Sequence, residues 1–204
     1  MIKNIIFDMG NVIIDFNPKE IVNNYTKNNE DKKILLDIVF YGQEWLDLDR
    51  GTLELPDAIK QIREKLPINL KDTGEKILKT WTEYISEDDK MKNLMKDLKK
   101  KGYNTYILSN APYNMFKYLS NSEIPSLVDG MIISCEEKVS KPEEEIYNKL
   151  FTKFNIKPEE SFFIDDRKQN IEASRKLGKA GHVYDMNNIE VLILDLKKHN
   201  INLD

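Results

Sequence analysis

Short runs of apolar and β-branched residues alternate along much of this chain with longer stretches whose apolar residues recur every three or four positions. The first pattern is typical of buried strands, and the second is typical of amphipathic helices. The predicted strands cover residues 2–7, 105–108, 131–134, 161–164 and 181–184. One predicted helix begins after residue 89 and ends at Gly102. Three more cover residues 112–119, 142–154 and 169–177, and a last helix follows the final strand.

Strands that alternate with helices form parallel sheets with helices on both faces. The sequence therefore predicts an α/β fold with a Rossmann-like parallel sheet. Between residues 16 and 86 the pattern changes, because charged and amide residues alternate there with apolar residues at helical spacing. We expect this segment to form a helical bundle inserted after the first strand, so that residues 1–15 and 87–204 make the sheet domain.

Composition excludes several classes of protein. The 204 residues include 31 Lys and Arg against 35 Asp and Glu, a net charge of −4, without the basic stripe that nucleic-acid binding requires. No apolar run approaches the roughly 20 residues that span a bilayer, so we expect no membrane partner. The single cysteine, Cys135, and the early Asp8, which interrupts any signal-peptide pattern, favour the cytoplasm. We expect a monomer or a weak homodimer.

Reactive side chains follow apolar runs at four places, in the order carboxylate, hydroxyl, lysine and paired carboxylates. They are Asp8, Ser109, Lys141 and the pair Asp165 and Asp166. Open α/β sheets bind ligands outside the carboxyl ends of their strands, so these groups are expected to meet there. Carboxylates that face one another repel unless a cation lies among them, and oxygen ligands without His or Cys favour Mg²⁺. The order predicts a metal-assisted enzyme that forms an aspartyl phosphate.

Each residue alone has an ordinary structural interpretation. An acid such as Asp8 often ends a strand as a turn or cap residue, and Ser109 is as well suited to a helix N-cap because Pro112 follows. Lys141 would by default be a solvated surface lysine. Only the four groups together, in this order, favour the functional interpretation.

The segments around these residues resemble motifs one to four of the haloacid dehalogenase superfamily. The resemblance spans nearly the whole chain, and the helical insertion stands where that family has its small C1-type cap. It is nearest to the sugar-phosphate phosphatase branch related to α-D-glucose-1-phosphate phosphatase. The matching segments are Phe7-Asp8-Met9-Gly10-Asn11-Val12, Leu108-Ser109-Asn110, Lys141-Pro142 and Phe163-Ile164-Asp165-Asp166-Arg167 with Asn170.

The resemblance implies a Mg²⁺ site. Asp8 would be both nucleophile and metal ligand, and Gly10 would offer its backbone carbonyl to the metal. Asp166 corresponds to the direct fourth-motif ligand, whereas Asp165 would support it or act through water. Asn170 would lie nearby and orient the ligands.

The resemblance also implies a phosphate site and an activity. Ser109, Asn110 and Lys141 would hold the phosphate, with Lys141 also serving the nucleophile. The expected activity is Mg²⁺-dependent hydrolysis of a small phosphorylated metabolite, with a sugar phosphate as one candidate.

One departure from the family pattern concerns proton transfer. Most phosphatases of the superfamily carry a second aspartate two residues after the nucleophile as general acid and base, and here that position is Gly10. The loss of such help is worth about 10²–10⁴ in rate. Asp15 is the candidate replacement in the sequence, and a solvent-exposed hinge acid is its alternative interpretation.

The inserted segment is expected to control substrate access. Gln43 and Trp45 could contact the substrate, although Trp45 is equally suited to the bundle core, where we place Trp81. The segment Asp49-Arg50-Gly51 is either a turn with a surface ion pair or a contact with the substrate.

Three other functions are compatible with parts of this pattern. A 2-haloacid dehalogenase would also use Asp8 as nucleophile. Such an enzyme needs no metal, whereas the pair Asp165 and Asp166 favours a metal site. A non-catalytic phosphoryl-binding regulatory protein is suggested by Gly10. A receiver domain has its paired acids at the first strand and has no place for the helical insertion.

Overall fold

The structure is a computed structural model that describes residues 1–178 and 180–203. Its centre is a five-stranded sheet in which all neighbours are parallel. The strands are β1 (Asn4–Phe7), β4 (Asn104–Ser109), β5 (Gly130–Ile133), β6 (Ser161–Asp165) and β7 (Ala180–Val183). Their order across the sheet is β5-β4-β1-β6-β7. The prediction of a Rossmann-like parallel sheet is confirmed.

The sheet is buried on both faces. Along β1, Ile5 and Phe7 join one apolar cluster and Ile6 joins another, as the two-residue period of a strand requires. The helices that follow the inserted segment, residues 16–86, are α6 (Asp89–Lys100), α7 (Met115–Leu119), α8 (Ser134–Glu137), α9 (Glu144–Phe154), α10 (Lys168–Lys176) and α11 (Ile189–Lys198). Buried residues of α9 and α10 pack on the face of Ile6, and those of α6 and α11 pack on the opposite face.

A short antiparallel ribbon joins the sheet to an all-helical segment. The ribbon pairs β2 (Ile14–Asp15) with β3 (Ser86–Glu87). Between these strands lie α1 (Pro18–Asn23), α2 (Asn29–Leu35), α3 (Gln43–Arg50), α4 (Leu55–Lys65) and α5 (Lys71–Thr80). A π-helical turn, Leu36–Phe40, and short 3₁₀ turns at Ile68–Leu70 and Trp81–Tyr84 link them. The helical character predicted for this segment is confirmed.

Two predicted helices begin later than the sequence indicated. The helix expected from Pro112 begins at Met115, and the helix expected from Pro142 begins at Glu144. In both cases the residues after the proline form a turn that lies beside the cleft described below. In the described residues, no helix is long and apolar enough to cross a membrane.

Candidate active site

The parallel register brings the predicted site residues to one edge of the sheet. Asp8 follows β1, Ser109 ends β4 and Asp165 ends β6, and these strands are direct neighbours. The Asp8 backbone N–H donates to the Ile164 carbonyl at 2.8 Å, which continues the ladder to the end of the strand. Regular pairing thus fixes the position of these side chains without a flexible loop.

Three carboxyl groups converge at this edge. Oxygen atoms of Asp8, Asp165 and Asp166 all lie within 4.8 Å of one another. The ammonium group of Lys141 lies among them, 2.8 Å from Asp8 Oδ1 and 2.7 Å from Asp165 Oδ2, with its side chain only 1% exposed. Lys141 contacts two of the three acids, and its single charge cannot balance three carboxylates when all are ionised; the Arg167 guanidinium acts on Asp166 as well.

The three acids are held differently. Asp165 accepts hydrogen bonds from the Arg167 backbone N–H and the Asn170 side chain as well as from Lys141, so both of its oxygens are occupied. Asp166 is half-buried and accepts from Asn11 Nδ2 through Oδ2 at 3.2 Å. Asp166 therefore keeps more capacity for a further ligand than Asp165 does.

The pKa directions show how burial and crowding act on these groups. Burial raises the pKa of Asp8 to about 7; Lys141 opposes this rise and Asp165 adds to it. Burial also raises the pKa of Asp166. The hydrogen bond from Asn11 lowers this pKa, and the charge of Asp165 raises it further. Burial disfavours the Lys141 ammonium, but the charges of Asp8 and Asp165 outweigh it and raise the pKa of Lys141. Burial is therefore the largest cause of the raised pKa of both acids, and the negative charge of Asp165 adds to it.

This arrangement fits a divalent cation. The available ligand atoms are carboxylate oxygens, the hard donors that Mg²⁺ prefers, and no His or Cys is in the cluster. A charge of +2 would offset the negative charge that Lys141 leaves. Gly10 lines the same cleft.

The phosphate-binding residues predicted from the sequence lie beside the acids. Ser109 is buried and lines the cleft together with Asn110 and Lys141. The Asn110 side chain contacts the Lys141 backbone on both sides: its Oδ1 accepts from the Lys141 N–H at 2.9 Å, and its Nδ2 donates to the Lys141 carbonyl at 3.0 Å. Asn110 thus positions Lys141, a role that the sequence prediction of direct phosphate binding did not include.

The cleft has a volume of about 720 Å³ and opens between the strand ends and the helical segment. Its wall on the helical side is aromatic. Trp45 contacts the rings of Phe16, Phe40 and Trp81 at centroid distances of 5.8, 4.7 and 5.3 Å. Trp45 therefore both packs in the core and lines the cleft, so the two interpretations of this residue are compatible; Trp81 is buried as predicted. Gln43 is exposed, lines the cleft and donates to Asp47 at 3.0 Å.

Asp15 lies elsewhere. It is exposed in the β2–β3 ribbon, paired with Ser86, and does not line the cleft. This is the hinge position that the sequence left open as its alternative, and the structure does not bring Asp15 to the acids. The proton-transfer role suggested for Asp15 is therefore corrected, because a side chain outside the cleft cannot reach a bound phosphoester.

Two polar residues at the site were not singled out by sequence. Asn11, at a left-handed φ of 54°, binds Asp166 with one end of its amide and accepts the Phe16 N–H with the other. Asn tolerates that backbone region better than most residues, which was the available signal. Ser134 is buried and accepts the Ala111 N–H at 3.0 Å. Nothing local in the sequence distinguishes Ser134 from other strand-end serines.

Comparison with known proteins gives concordant results. A family model for haloacid dehalogenase-like hydrolases matches residues 2–178. The sesquiterpene phosphatase astK of Aspergillus oryzae is 27% identical over 180 residues, covering 88% of each chain. The D-ribitol-5-phosphate phosphatase of Bacteroides thetaiotaomicron is 28% identical over 187 residues, covering 87% of this chain and 89% of that protein.

A crystal structure of a Bacteroides thetaiotaomicron enzyme in complex with magnesium and inorganic phosphate superposes with a TM-score of 0.71. It is 22% identical, with 89% of this chain and 93% of that chain covered. At this identity the likeness concerns the fold.

Proposed function

The chain belongs to the haloacid dehalogenase-like hydrolases, and from this membership we propose that it is a Mg²⁺-dependent phosphatase of a small phosphorylated metabolite. The observation that carries the proposal is the group of Asp8, Asp165 and Asp166 around the Lys141 ammonium at the edge of the sheet. The phosphatase activity named for relatives at 27–28% identity supports the same reaction class.

Asp8 is the nucleophile in this proposal. Its Oδ1 accepts hydrogen bonds from the Met9 N–H at 2.6 Å and from Lys141, so the carboxylate is fixed in orientation and Oδ2 is the atom for attack on phosphorus. Attack forms an aspartyl phosphate and releases the alcohol, and water then hydrolyses the intermediate. Two easier displacements thereby replace one difficult one.

Asp8, Asp166 and the Gly10 carbonyl would hold Mg²⁺, with Asp165 in support. When bound, the ion screens the negative charge of the nucleophile and of the phosphoryl group from each other. Lys141 contributes a fixed positive charge beside the nucleophile, and Ser109 would offer a hydroxyl to the phosphoryl oxygens. Asn170 keeps Asp165 oriented through two contacts at 2.9 and 3.0 Å.

The cleft supports a substrate of limited size with both polar and apolar contacts. Aromatic residues form one wall, whereas Gln43 and Asp49 supply polar groups. The two relatives named above are a sesquiterpene phosphatase and a D-ribitol-5-phosphate phosphatase. Phosphates of terpenoid alcohols and of polyols are therefore both candidate substrates. We further propose that residues 16–86 form the cap and that residues 1–15 and 87–204 form the core, and we retain a cytoplasmic location.

A phosphate-release screen tests the proposal. Purified protein is assayed on sugar, polyol and prenyl phosphates, with Mg²⁺ and with a chelator, beside Asp8→Asn and a control, Asp37→Asn, which removes an exposed carboxylate outside the cleft. We expect release that requires Mg²⁺ and is lost only in Asp8→Asn. Activity retained in Asp8→Asn would refute the nucleophile, chelator-resistant halide release from 2-haloacids would indicate a dehalogenase, and binding of beryllium fluoride without turnover would indicate a regulatory protein.

A further inference from the structure

We infer that Asp49, carried by helix α3 of the inserted segment, is the general acid and base of this site in place of the residue missing at position 10. The inference rests on the proposed phosphatase function. Asp49 lines the same cleft as Asp8, on the opposite wall. Of the two α3 acids that line this cleft, Asp47 accepts a hydrogen bond from Gln43, whereas Asp49 lies close enough to Asp8 for their charges to interact.

Asp49 is fixed to the sheet domain by several contacts. Its backbone carbonyl accepts the Ser134 hydroxyl, and Ser134 in turn accepts the Ala111 N–H just beyond the Ser109 turn. The next residue, Arg50, forms a two-point ion pair with Glu143 at 2.5 and 2.9 Å. The position of Asp49 relative to Ser109 therefore does not depend on a flexible loop.

Gly51 makes this close approach possible. It ends α3 in the left-handed region at φ 75°, and a Cβ there would lie 2.1 Å from the Cys135 carbonyl oxygen. The Lys138 ammonium donates to the Gly51 carbonyl from the same side. The segment Asp49-Arg50-Gly51 thus combines the two interpretations left open by sequence, because Arg50 forms the surface ion pair and Asp49 faces the cleft.

The surroundings of Asp49 suit proton exchange near neutral pH. Burial raises its pKa to about 7, and the Asp8 charge adds to the rise. The Arg167 guanidinium and the Trp45 indole N–H, one helical turn earlier, oppose it. A carboxyl group with a pKa near the working pH can both give and take a proton, which is the requirement for general acid and base catalysis.

The proposed proton transfers balance over one turnover. As Asp8 Oδ2 bonds to phosphorus and the ester P–O bond breaks, the Asp49 carboxylic acid gives its proton to the leaving oxygen, which departs as the alcohol. The Asp49 carboxylate then takes a proton from the water that attacks the aspartyl phosphate. The P–O bond to Asp8 breaks, phosphate leaves, and Asp49 is again protonated.

Substitution of Asp49 by Asn tests whether this residue transfers protons or only binds the substrate. Loss of a general acid should lower kcat for a primary-alcohol phosphate such as a polyol phosphate by about 10²–10⁴. With 4-nitrophenyl phosphate, whose leaving group needs no proton, phosphoryl transfer to Asp8 should persist while water activation fails. We therefore expect a burst of one equivalent of 4-nitrophenolate followed by slow turnover, and no burst of alcohol from the polyol phosphate.

Three further variants make the result decisive. Asp37→Asn should behave as wild type, and Asp8→Asn should show no burst with either substrate. Position 10 has room for a side chain, because a Cβ there meets nothing nearer than Phe16 Cβ at 3.9 Å. The double variant Gly10→Asp with Asp49→Asn should therefore recover part of the activity on the polyol phosphate.

Equal losses on both substrates, without a burst, would overturn the inference and assign Asp49 to substrate binding or packing. Unchanged kinetics in a folded Asp49→Asn protein would overturn it as well. These outcomes differ from failure of the proposed function, in which the wild-type protein itself releases no phosphate and forms no aspartyl phosphate.

Discussion

Replacing Asp8 by Asn should make the protein inactive and, in the absence of metal, more stable. Burial and the nearby Asp165 raise the pKa of Asp8 from 3.8 to about 7, so the ionised nucleophile is disfavoured in the folded state. That difference corresponds to about 4 kcal/mol, because each pKa unit is worth ~1.4 kcal/mol. An amide of the same shape can still accept from Met9 and Lys141, so most of this penalty should be relieved.

The effect should depend on pH in a defined direction. Because the folded-state pKa of Asp8 is higher than the unfolded-state value, the folded protein holds its proton over a wider range, and wild-type stability falls between about pH 4 and pH 7. The gain from Asp8→Asn should therefore be nearly complete at about pH 8.5. It should be smaller by about 2 kcal/mol at about pH 5.5.

Urea unfolding followed by circular dichroism, in a chelator, measures this gain. Asp49 also has a raised pKa and is present in both proteins. The charge of Asp8 is the smallest cause of that rise, so the difference between the two proteins reports chiefly Asp8. Asp37→Asn is the control for loss of a carboxylate. Added Mg²⁺ should stabilise wild type by about 3 kcal/mol at a hundredfold excess over Kd, and Asp8→Asn by less. A variant no more stable than wild type at about pH 8.5, or a gain independent of pH, would refute the reasoning.

Three further substitutions have expected outcomes. Lys141→Met leaves buried carboxylates without their cation and should cost about 3–5 kcal/mol in chelator, a loss that Mg²⁺ partly restores in urea unfolding. Gly51→Ala should lower stability by more than about 1 kcal/mol, since the added methyl meets the Cys135 carbonyl and φ is positive; thermal unfolding measures it. Trp81→Ala removes a buried ring and should cost about 3–5 kcal/mol by the same unfolding measurement, with a control at exposed Ile68 staying near wild type.

The core of the site could be predicted because it depends on regular structure. Asp8, Ser109 and Asp165 are each placed by the end of a buried strand, and parallel pairing of three neighbouring strands brings such ends together whatever the loops do. A short apolar run followed by a reactive side chain carries that information in a few consecutive residues.

The rest depends on contacts between residues distant in the chain. The two-sided hydrogen bonding of Asn110 to Lys141 spans 31 residues, and the contact of Ser134 with Asp49 spans 85. Hydrophobic periodicity carries no information on either contact. The sequence left the segment of Asp49 as a turn or a contact with the substrate. Where the Asp49 side chain lies depends on how α3 packs on α8, and Gly51 sets that distance.

Carrying the acid on the inserted helix has an electrostatic consequence. A carboxyl group at position 10 would be a fourth acid beside three that already share one lysine. Asp49 reaches the same cleft from the other wall, where burial is the first cause of its raised pKa and the charge of Asp8 is the last. Its protonation should therefore respond less to metal binding than that of Asp8.

The protonation of Asp49 should respond instead to whether α3 packs on the sheet domain. The contacts of Ser134, Lys138 and Glu143 with residues 49–51 hold α3 in that position. Cover of the cleft and supply of the proton would then depend on the same few contacts.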